Sequence, residues 1–578
     1  MNSELEQLPW WMTAVFYSIW PRSFCDSNGD GIGDIKGITS KLDYLKDLGV
    51  TAVWLSPIFK SPCMDQGYDV SDYIAINPDF GTLEDVEEML SEANKRGIRF
   101  LFDLVVNHSS DQHEWFLNSR AGVAEYRDYY IWRPGKGEDG KEPPNNWGCI
   151  FGGSTWEYNE PTKDFYFHMF AKQQPDLNLE NPKVLNEIQK IVEFWTSRGV
   201  SGYRLDAASH FSKPHDFPSY ENATEPYVIG KMHFNGQNMH QIVKSLNKVI
   251  KGVKADTMIL GEVAGIEGPE FDLCCAPEVK EHDMIITFEH MMIDTDYDKL
   301  MGKFKIAEFS LDKMKQIING WYSHMKKGWL ALYLCNLDQP RIVSRWGDEG
   351  EFRVQSAKML GLFLHMLKGT PYIYQGEEIG MINWRFKPEE ADDVEFKGFY
   401  KLLVKELKHL TEEEFMELAH KRSRDTSRAP VHWNSSKFGG FTTGEKVWMG
   451  MCDNYSEINV EDSLKDPNSV VNFYKKMISL RKTEPLITLG DVNLKFFEHP
   501  SVISWTRADS NPNRFLLFVC NFFKPHTSVD LTLEFPTFSS YAFTPILSNY
   551  DDLFLCKNIL SLREYEAILF EVRNHSPL

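Results

Sequence analysis

The stretch GVSGYRLDAASH, Gly199–His210, decides the fold. It opens as a short β-rich run of the kind a strand buried on both faces shows, and then closes on Arg204 and Asp206. Charge at the end of a buried strand costs stability unless it is paired or useful. The same form recurs in TAVFYSIW, VTAVWLSP, IRFLFDLVVNH, TMILGEVAG, DMIITFEHM, WLALYLCNLD and TPYIYQGEE, beginning near residues 13, 50, 98, 257, 283, 329 and 370. Between several of these lie amphipathic stretches such as ITSKLDYLKDLG and LEDVEEMLSEANKRG, with apolar residues at helical spacing. Eight strand–helix units indicate an α/β protein built on a (β/α)8 TIM barrel, and the count favours it over a doubly wound sheet. Asp103, Asn107, His108, Arg204, Asp206, Glu262 and Asp338 all cluster at strand ends, where barrel chemistry occurs.

The alternation lapses twice. Residues 109–179, rich in Trp, Gly, Asn and Pro, read as a loop-rich subdomain inserted beside the mouth of the site. Residues 383–470 form a second irregular region after the eighth strand. The expected barrel therefore spans 1–108 and 180–489. From 490 the pattern shifts to strands (SVISWTRA, RFLLFVCNFF, SVDLTLEF), which predicts a C-terminal β-sandwich over 490–578.

Composition narrows the function. The 578 residues carry a formal charge of −21, which argues against nucleic-acid partners and anionic substrates and suits a small neutral substrate. No CxxC pair appears among the nine cysteines, so reduced structural thiols are expected, with a surface disulfide the alternative. The longest apolar run, MLGLFLHMLKGTPYIY, is broken by Lys368, and no leader pattern opens the chain. As written, the sequence reads as cytoplasmic without a membrane segment; removal of a leader would make it secreted.

Three acids dominate the strand ends: Asp206, Glu262 and Asp338. Glycosidic cleavage needs one carboxyl that stays ionised and one that gives a proton, in unlike environments. Arg204 lies two residues before Asp206, on the same strand face, and can hold it ionised. Glu262, in LGEVAG, has no cation beside it in sequence and suits the acid. Structural salt bridges are the rival reading. A separate loop, DSNGDGIGD (Asp26–Asp34), offers hard oxygens from Asp26, Asn28, Asp30 and Asp34 and the Ile32 carbonyl. It suits structural Ca2+, with Mg2+ the alternative; Gly37 at the twelfth position rules out an EF-hand. A metal-free Asx-rich turn is the other reading.

The segments DLVVNH, QPDLN, GYRLDAASH, GEV, NLDQPR and GTPYIYQGEEIGM, in this order, resemble the α-amylase superfamily, glycoside hydrolase family 13. The likeness runs from Trp10 to Val572 and is strongest to the α-glucosidase and oligo-1,6-glucosidase branch, especially insect maltase- or sucrase-like enzymes. It implies Asp206 as nucleophile, Glu262 as acid/base and Asp338 as transition-state stabiliser, in a retaining double displacement. It further implies sugar contacts from Asp65, Tyr68, His108 and Gln174, with Asp103 and Arg204 supporting the nucleophile. It makes Arg428 the partner of Asp65 that closes the pocket, and Asp26, Asn28, Asp30, Ile32 and Asp34 the metal ligands. The implied enzyme is an exo-acting α-glucosidase (maltase or sucrase type). A transglucosylase, a sucrose isomerase and a non-catalytic binding relative are the alternatives.

Two departures bear on activity. Ala207 follows the nucleophile, where Val accompanies α-1,6 preference, so maltose, sucrose or short α-1,4 oligosaccharides are expected. Leu337 stands where the family has a sugar-binding His. Loss of that donor predicts slower turnover, by about 2–4 kcal/mol in the barrier, and a gain in kcat for Leu337→His.

Overall fold

The computed structural model describes residues 4–223, 226–268, 270–296 and 300–574. Its centre is a ring of eight parallel strands: β1 Phe16–Ile19, β2 Ala52–Leu55, β3 Arg99–Leu104, β4 Gly202–Leu205, β5 Met258–Glu262, β6 Met284–Ile286, β7 Ala331–Leu332 and β8 Thr370–Tyr374. They pair in the order β6-β5-β4-β3-β2-β1-β8-β7. A parallel bridge from Ile285 to Leu330 joins the two ends of the sheet. Phe16, Val53, Leu101, Tyr203, Ile259 and Ile373 are buried, as strands covered on both faces require. Gly202 marks a close approach: a Cβ there would come within 2.7 Å of the Met258 carbonyl on the neighbouring strand.

Helices α1 (Leu83–Lys95), α2 (Pro182–Thr196), α3 (Met239–Val253), α4 (Glu270–Cys275) and α5 (Val470–Thr483) lie among the elements around the barrel. Their starts follow from sequence: Thr82 and Asp85 form a capping box before α1, and Asn181 accepts from Lys183 N–H before α2, with Pro182 at the first helical position. Strand β7 is shorter than the run WLALYLCNLD predicts. The chain leaves the sheet for an Asx turn in which Asn336 Oδ1 accepts the Asp338 N–H at 2.8 Å.

The inserted segment forms a small antiparallel sheet from Trp132–Arg133, Trp156–Asn159 and Asp164–Phe167. Its core of Trp147, Trp156, Phe165, Phe167 and Met169 is completed by Phe217 from the loop after β4. At the other end, β9 Asp491–Lys495, β10 Val502–Ala508, β11 Arg514–Asn521, β12 Thr527–Asp530, β13 Tyr541–Ser548, β14 Phe554–Cys556, β15 Ile559–Leu562 and β16 Ala567–Asn574 make two antiparallel sheets. Val502, Leu517, Ile568 and Phe570 of one sheet pack on Val529, Leu560 and Leu562 of the other, which is the sandwich. Trp505 and Arg507 of β10 donate to the Met366 carbonyl at 3.0 and 2.8 Å. Met366 lies just before β8, so the sandwich covers the N-terminal ends of the strands and leaves the C-terminal ends free for chemistry. All nine cysteines are unpaired. Among the described residues no helix is long and apolar enough to cross a membrane.

One buried acid ties stability to pH. Glu377, after β8, accepts from Tyr474 Oη at 2.9 Å, and burial pushes its carboxyl from 4.5 up to about 8. The folded chain therefore holds a proton that the unfolded chain releases between pH 4.5 and 8. Stability falls as pH rises through that window, by up to about 1.4 kcal/mol per pH unit from this group. Glu377→Gln is expected to flatten the decline in Tm measured from pH 5 to 8.

Candidate active site

Each acid reaches the site from a strand end. Asp103 is in β3, Arg204 in β4, Asp206 directly after β4, and Glu262 closes β5. Arg204 is the hub. Its Nη1 lies 2.7 Å from Asp206 Oδ1 and 3.1 Å from Asp103 Oδ1, and its Nη2 lies 2.7 Å from Glu262 Oε1. Trp54 Nε1 donates to Asp103 Oδ1 at 3.1 Å and Tyr68 Oη to Asp103 Oδ2 at 2.8 Å. Those bonds fix the carboxylate that orients Arg204.

This arrangement corrects the sequence reading of Glu262. It is not isolated from cations: it shares the Arg204 guanidinium with Asp206 and accepts the Ala207 N–H at 2.8 Å. Sequence proximity could not show this, because parallel pairing places Leu260 beside Arg204 although the two are far apart in the chain. Burial pushes the Asp206 carboxyl well above its ordinary range; Arg204 opposes this, and Glu262, Asp103 and Asp338 add to it. Asp103, Asp206 and Glu262 around one guanidinium carry more negative charge than it compensates, so a proton is held readily within the group. Two carboxylates on the same guanidinium also lie close together.

Ala207 itself has a φ of 51°, a left-handed conformation unusual for a residue with a Cβ. The turn aims its N–H at Glu262 and places Asp206 at the pocket floor. Strain of this kind recurs at functional sites.

The opposite wall comes from loops. His108 Nε2 lies 3.0 Å from the Tyr68 carbonyl, and Asn107 Nδ2 lies 3.2 Å from His108 Nδ1. Burial lowers the His108 pKa and keeps the ring neutral. Gln174, from the inserted segment, donates to Asp65 Oδ2 at 3.2 Å. Behind them Lys213 is ion-paired with buried Asp176, which also accepts from Asn107. Neither residue of this pair stands out in the sequence, where the Asp in QPDLN is the only visible signal.

The arginine that meets Asp65 is Arg424, not the expected Arg428. Arg424 Nη2 lies 3.2 Å from Asp65 Oδ1 and 2.6 Å from Asp393 Oδ1, and its Nη1 lies 3.3 Å from Asp338 Oδ1. Arg428 instead donates to the Leu337 carbonyl at 2.9 Å and approaches Asp338 Oδ1 at 3.3 Å. The two arginines sit one helical turn apart in RDTSR, so spacing alone does not choose between them. Asp393 decides it. Burial pushes its carboxyl up, Arg424, Arg428 and Lys303 more than offset that, and the resulting carboxylate orients Arg424. Asp338 is thus held between two guanidiniums.

Asp65, Tyr68, His108, Gln174, Asp206, Glu262, Asp338 and Arg424 line one pocket of about 710 Å3. Leu337 does not line it. The side chain is wholly buried and belongs to the barrel core. The wall has closed over this position, so a histidine here meets apolar packing. Leu337→His is expected to lower Tm, by about 1–3 kcal/mol in stability, and to leave kcat unchanged or lower, which reverses the expectation from sequence. Thermal unfolding and initial rates of the variant check both.

In the loop Asp26–Asp34, Asp26 Oδ1 accepts from Asn28 and Gly29 N–H, Asn28 Oδ1 from Asp30 N–H, and Asp30 Oδ1 from Ile32 N–H, at 2.8–2.9 Å. Successive Asx turns of this kind wrap a loop around hard oxygen donors. The donor chemistry fits calcium. The carboxylates of Asp26, Asp30 and Asp34 are not gathered into one tight cluster, and Asp34 also caps the helix Ile35–Ser40 through Gly37 N–H. The loop grips a distant segment: Thr442 Oγ1 donates to Asp26 Oδ2 at 2.5 Å and Trp448 N–H to the Gly31 carbonyl at 2.9 Å.

Residues 18–490 match the family model for the α-amylase catalytic domain. The chain is 46% identical to an oligo-1,6-glucosidase from Parageobacillus thermoglucosidasius over 98% of this chain and 99% of that protein. Among solved structures it is similar to trehalose-6-phosphate hydrolase from Bacillus licheniformis, with a TM-score of 0.91 and 38% identity over 98% of this chain and 100% of that one. It is equally similar to isomaltulose synthase from Klebsiella sp. LX3, at a TM-score of 0.91 and 36% identity over 98% and 100%. These relatives are bacterial, which corrects the expected likeness to insect maltases.

Proposed function

The chain belongs to the α-amylase family as an α-glucosidase-type glycoside hydrolase, and from that premise we propose that it removes single terminal α-glucosyl units from neutral disaccharides and short oligosaccharides with retention. The observation that carries this is the pairing of Asp206 and Glu262 on one guanidinium at the floor of a pocket sealed by Asp65 and Arg424. Asp206 attacks the anomeric carbon and Glu262 protonates the departing oxygen. The glucosyl-enzyme is then hydrolysed by water that Glu262 deprotonates, and Asp338 stabilises the oxocarbenium-like charge in both steps. The Asp65–Arg424 pair ends the pocket behind the first sugar, which supports attack at chain ends.

The mouth favours neutral aglycones. Glu267, Glu289 and Glu395 line it, and Lys303 is already paired with Glu395 at 2.5 Å. A phosphorylated sugar would meet more carboxylates than free cations, so trehalose 6-phosphate is disfavoured. Ala207 at the pocket floor supports maltose, sucrose and short α-1,4 substrates. A second reading, isomaltose and other α-1,6 substrates, is favoured by the relative named for that linkage. Assays on maltose, sucrose, isomaltose, trehalose and trehalose 6-phosphate, with NMR of the first anomer released, test this. The expected result is α-glucose from maltose and sucrose. Faster isomaltose cleavage moves the assignment to the second reading, isomaltulose from sucrose moves it to an isomerase, and no turnover of any sugar overturns it.

Calcium at Asp26, Asn28, Asp30, the Ile32 carbonyl and Asp34 belongs to the same proposal. It would brace the loop that holds Thr442 and Trp448, beyond the segment that carries Arg424. Added Ca2+ is expected to raise Tm and a chelator to lower it; an unchanged Tm in both overturns the metal assignment.

A further inference from the structure

We propose that His240, Cys274 and Glu281 form a site for a zinc-like divalent cation on the outer side of the barrel, away from the sugar pocket. One ligand atom of each lies within 4.8 Å of the others, which makes this the one such group of His, Cys, Asp or Glu side chains among the described residues. His240 opens α3, Cys274 lies in α4, and Glu281 lies in the turn that leads into β6. His240 Nδ1 is 2.9 and 3.1 Å from the two Glu281 oxygens.

The donor set decides the metal class. Thiolate, imidazole and carboxylate together select a borderline-soft ion such as zinc over calcium or magnesium. Bonds of about 2.0–2.3 Å in tetrahedral geometry put ligand atoms about 3.5 Å apart. To reach that spacing the His240–Glu281 pair, now at 2.9–3.1 Å, opens slightly, and Cys274 Sγ, within 4.8 Å of both, closes in by at most about 1 Å. Glu281 and Cys274 are buried while His240 is half-exposed, so an ion can enter past the imidazole and keep solvent as its fourth ligand. Without metal, Glu281 is compensated by His240 and by Lys244 at 3.6 Å. The ion takes over that role, and the Cys274 thiol proton leaves to solvent as the S–metal bond forms.

The position gives the site a structural consequence. Residue 282 is a histidine whose ring packs on Gly261, where a Cβ would meet its Cδ2 at 2.3 Å. Gly261 precedes Glu262 in β5. An ion at the trio ties α3 to α4 and to the turn that supports this contact.

The test is Zn2+ titration of the full-length protein by calorimetry, with Co2+ as a spectroscopic probe. One equivalent is expected to bind with a Kd below about 10 µM and raise Tm, and Co2+ is expected to show a thiolate charge-transfer band. His240→Gln, at a half-exposed position, and Cys274→Ser are each expected to weaken binding at least tenfold and remove the band. Absence of stoichiometric binding, absence of the band, or affinity unchanged in both variants overturns the proposal.

Discussion

Asp206→Asn is expected to lower kcat by at least about 10^4-fold on every substrate the enzyme cleaves, the scale on which loss of a nucleophile acts. The amide keeps the shape and can still accept from Arg204 at the present 2.7 Å position, so the fold survives. An amide is too weak a nucleophile to form the glucosyl ester. Stability is expected to hold or rise slightly. Burial and three neighbouring acids push the Asp206 carboxyl upward, so the wild-type site spends folding energy on keeping it there. Initial rates and Tm on the same preparation separate loss of chemistry from loss of fold. Residual activity above about 1% would remove Asp206 from the nucleophile's role.

Arg424→Met is expected to lower kcat/KM by about 10^2–10^3-fold, with about 3–5 kcal/mol lost in stability, because it leaves buried carboxylates uncompensated. Asp393 loses its 2.6 Å partner, Asp65 loses the contact at 3.2 Å, and Asp338 keeps only Arg428. Should the variant fail to fold, Arg424→Lys retains the charge without the planar fork that reaches three acids at once, and is expected to raise KM strongly. Arg428→Met is the informative comparison. It removes one contact to Asp338 and one to the Leu337 carbonyl but none to Asp65, so its effect on KM is expected to be the smaller. The reverse order would return the closing role to Arg428.

The pH dependence that Glu377 confers and the outcome for Leu337→His test different levels of the fold. The first reports a buried acid beneath the barrel rim. The second reports whether packing, not the family pattern, decides what residue 337 contributes.

Much of this was legible in the chain. Eight apolar runs that end in charge could be read as barrel strands because a strand buried on both faces must be apolar and its terminal charges need a use. For the same reason Asp206, Glu262 and Asp338 stood out, and Arg204 followed from the two-residue alternation of a strand. What only the tertiary structure decided were the pairings between distant segments. Parallel register put Arg204 beside Glu262 as well as Asp206. Asp393, from a region without periodicity, chose Arg424 over Arg428. Burial turned Leu337 from an apparent gap in the sugar's hydrogen bonding into part of the core. Local periodicity reports which way a side chain points relative to its own element. Which charge it meets depends on where other elements pack, and that free energy is shared among residues that lie hundreds of positions apart.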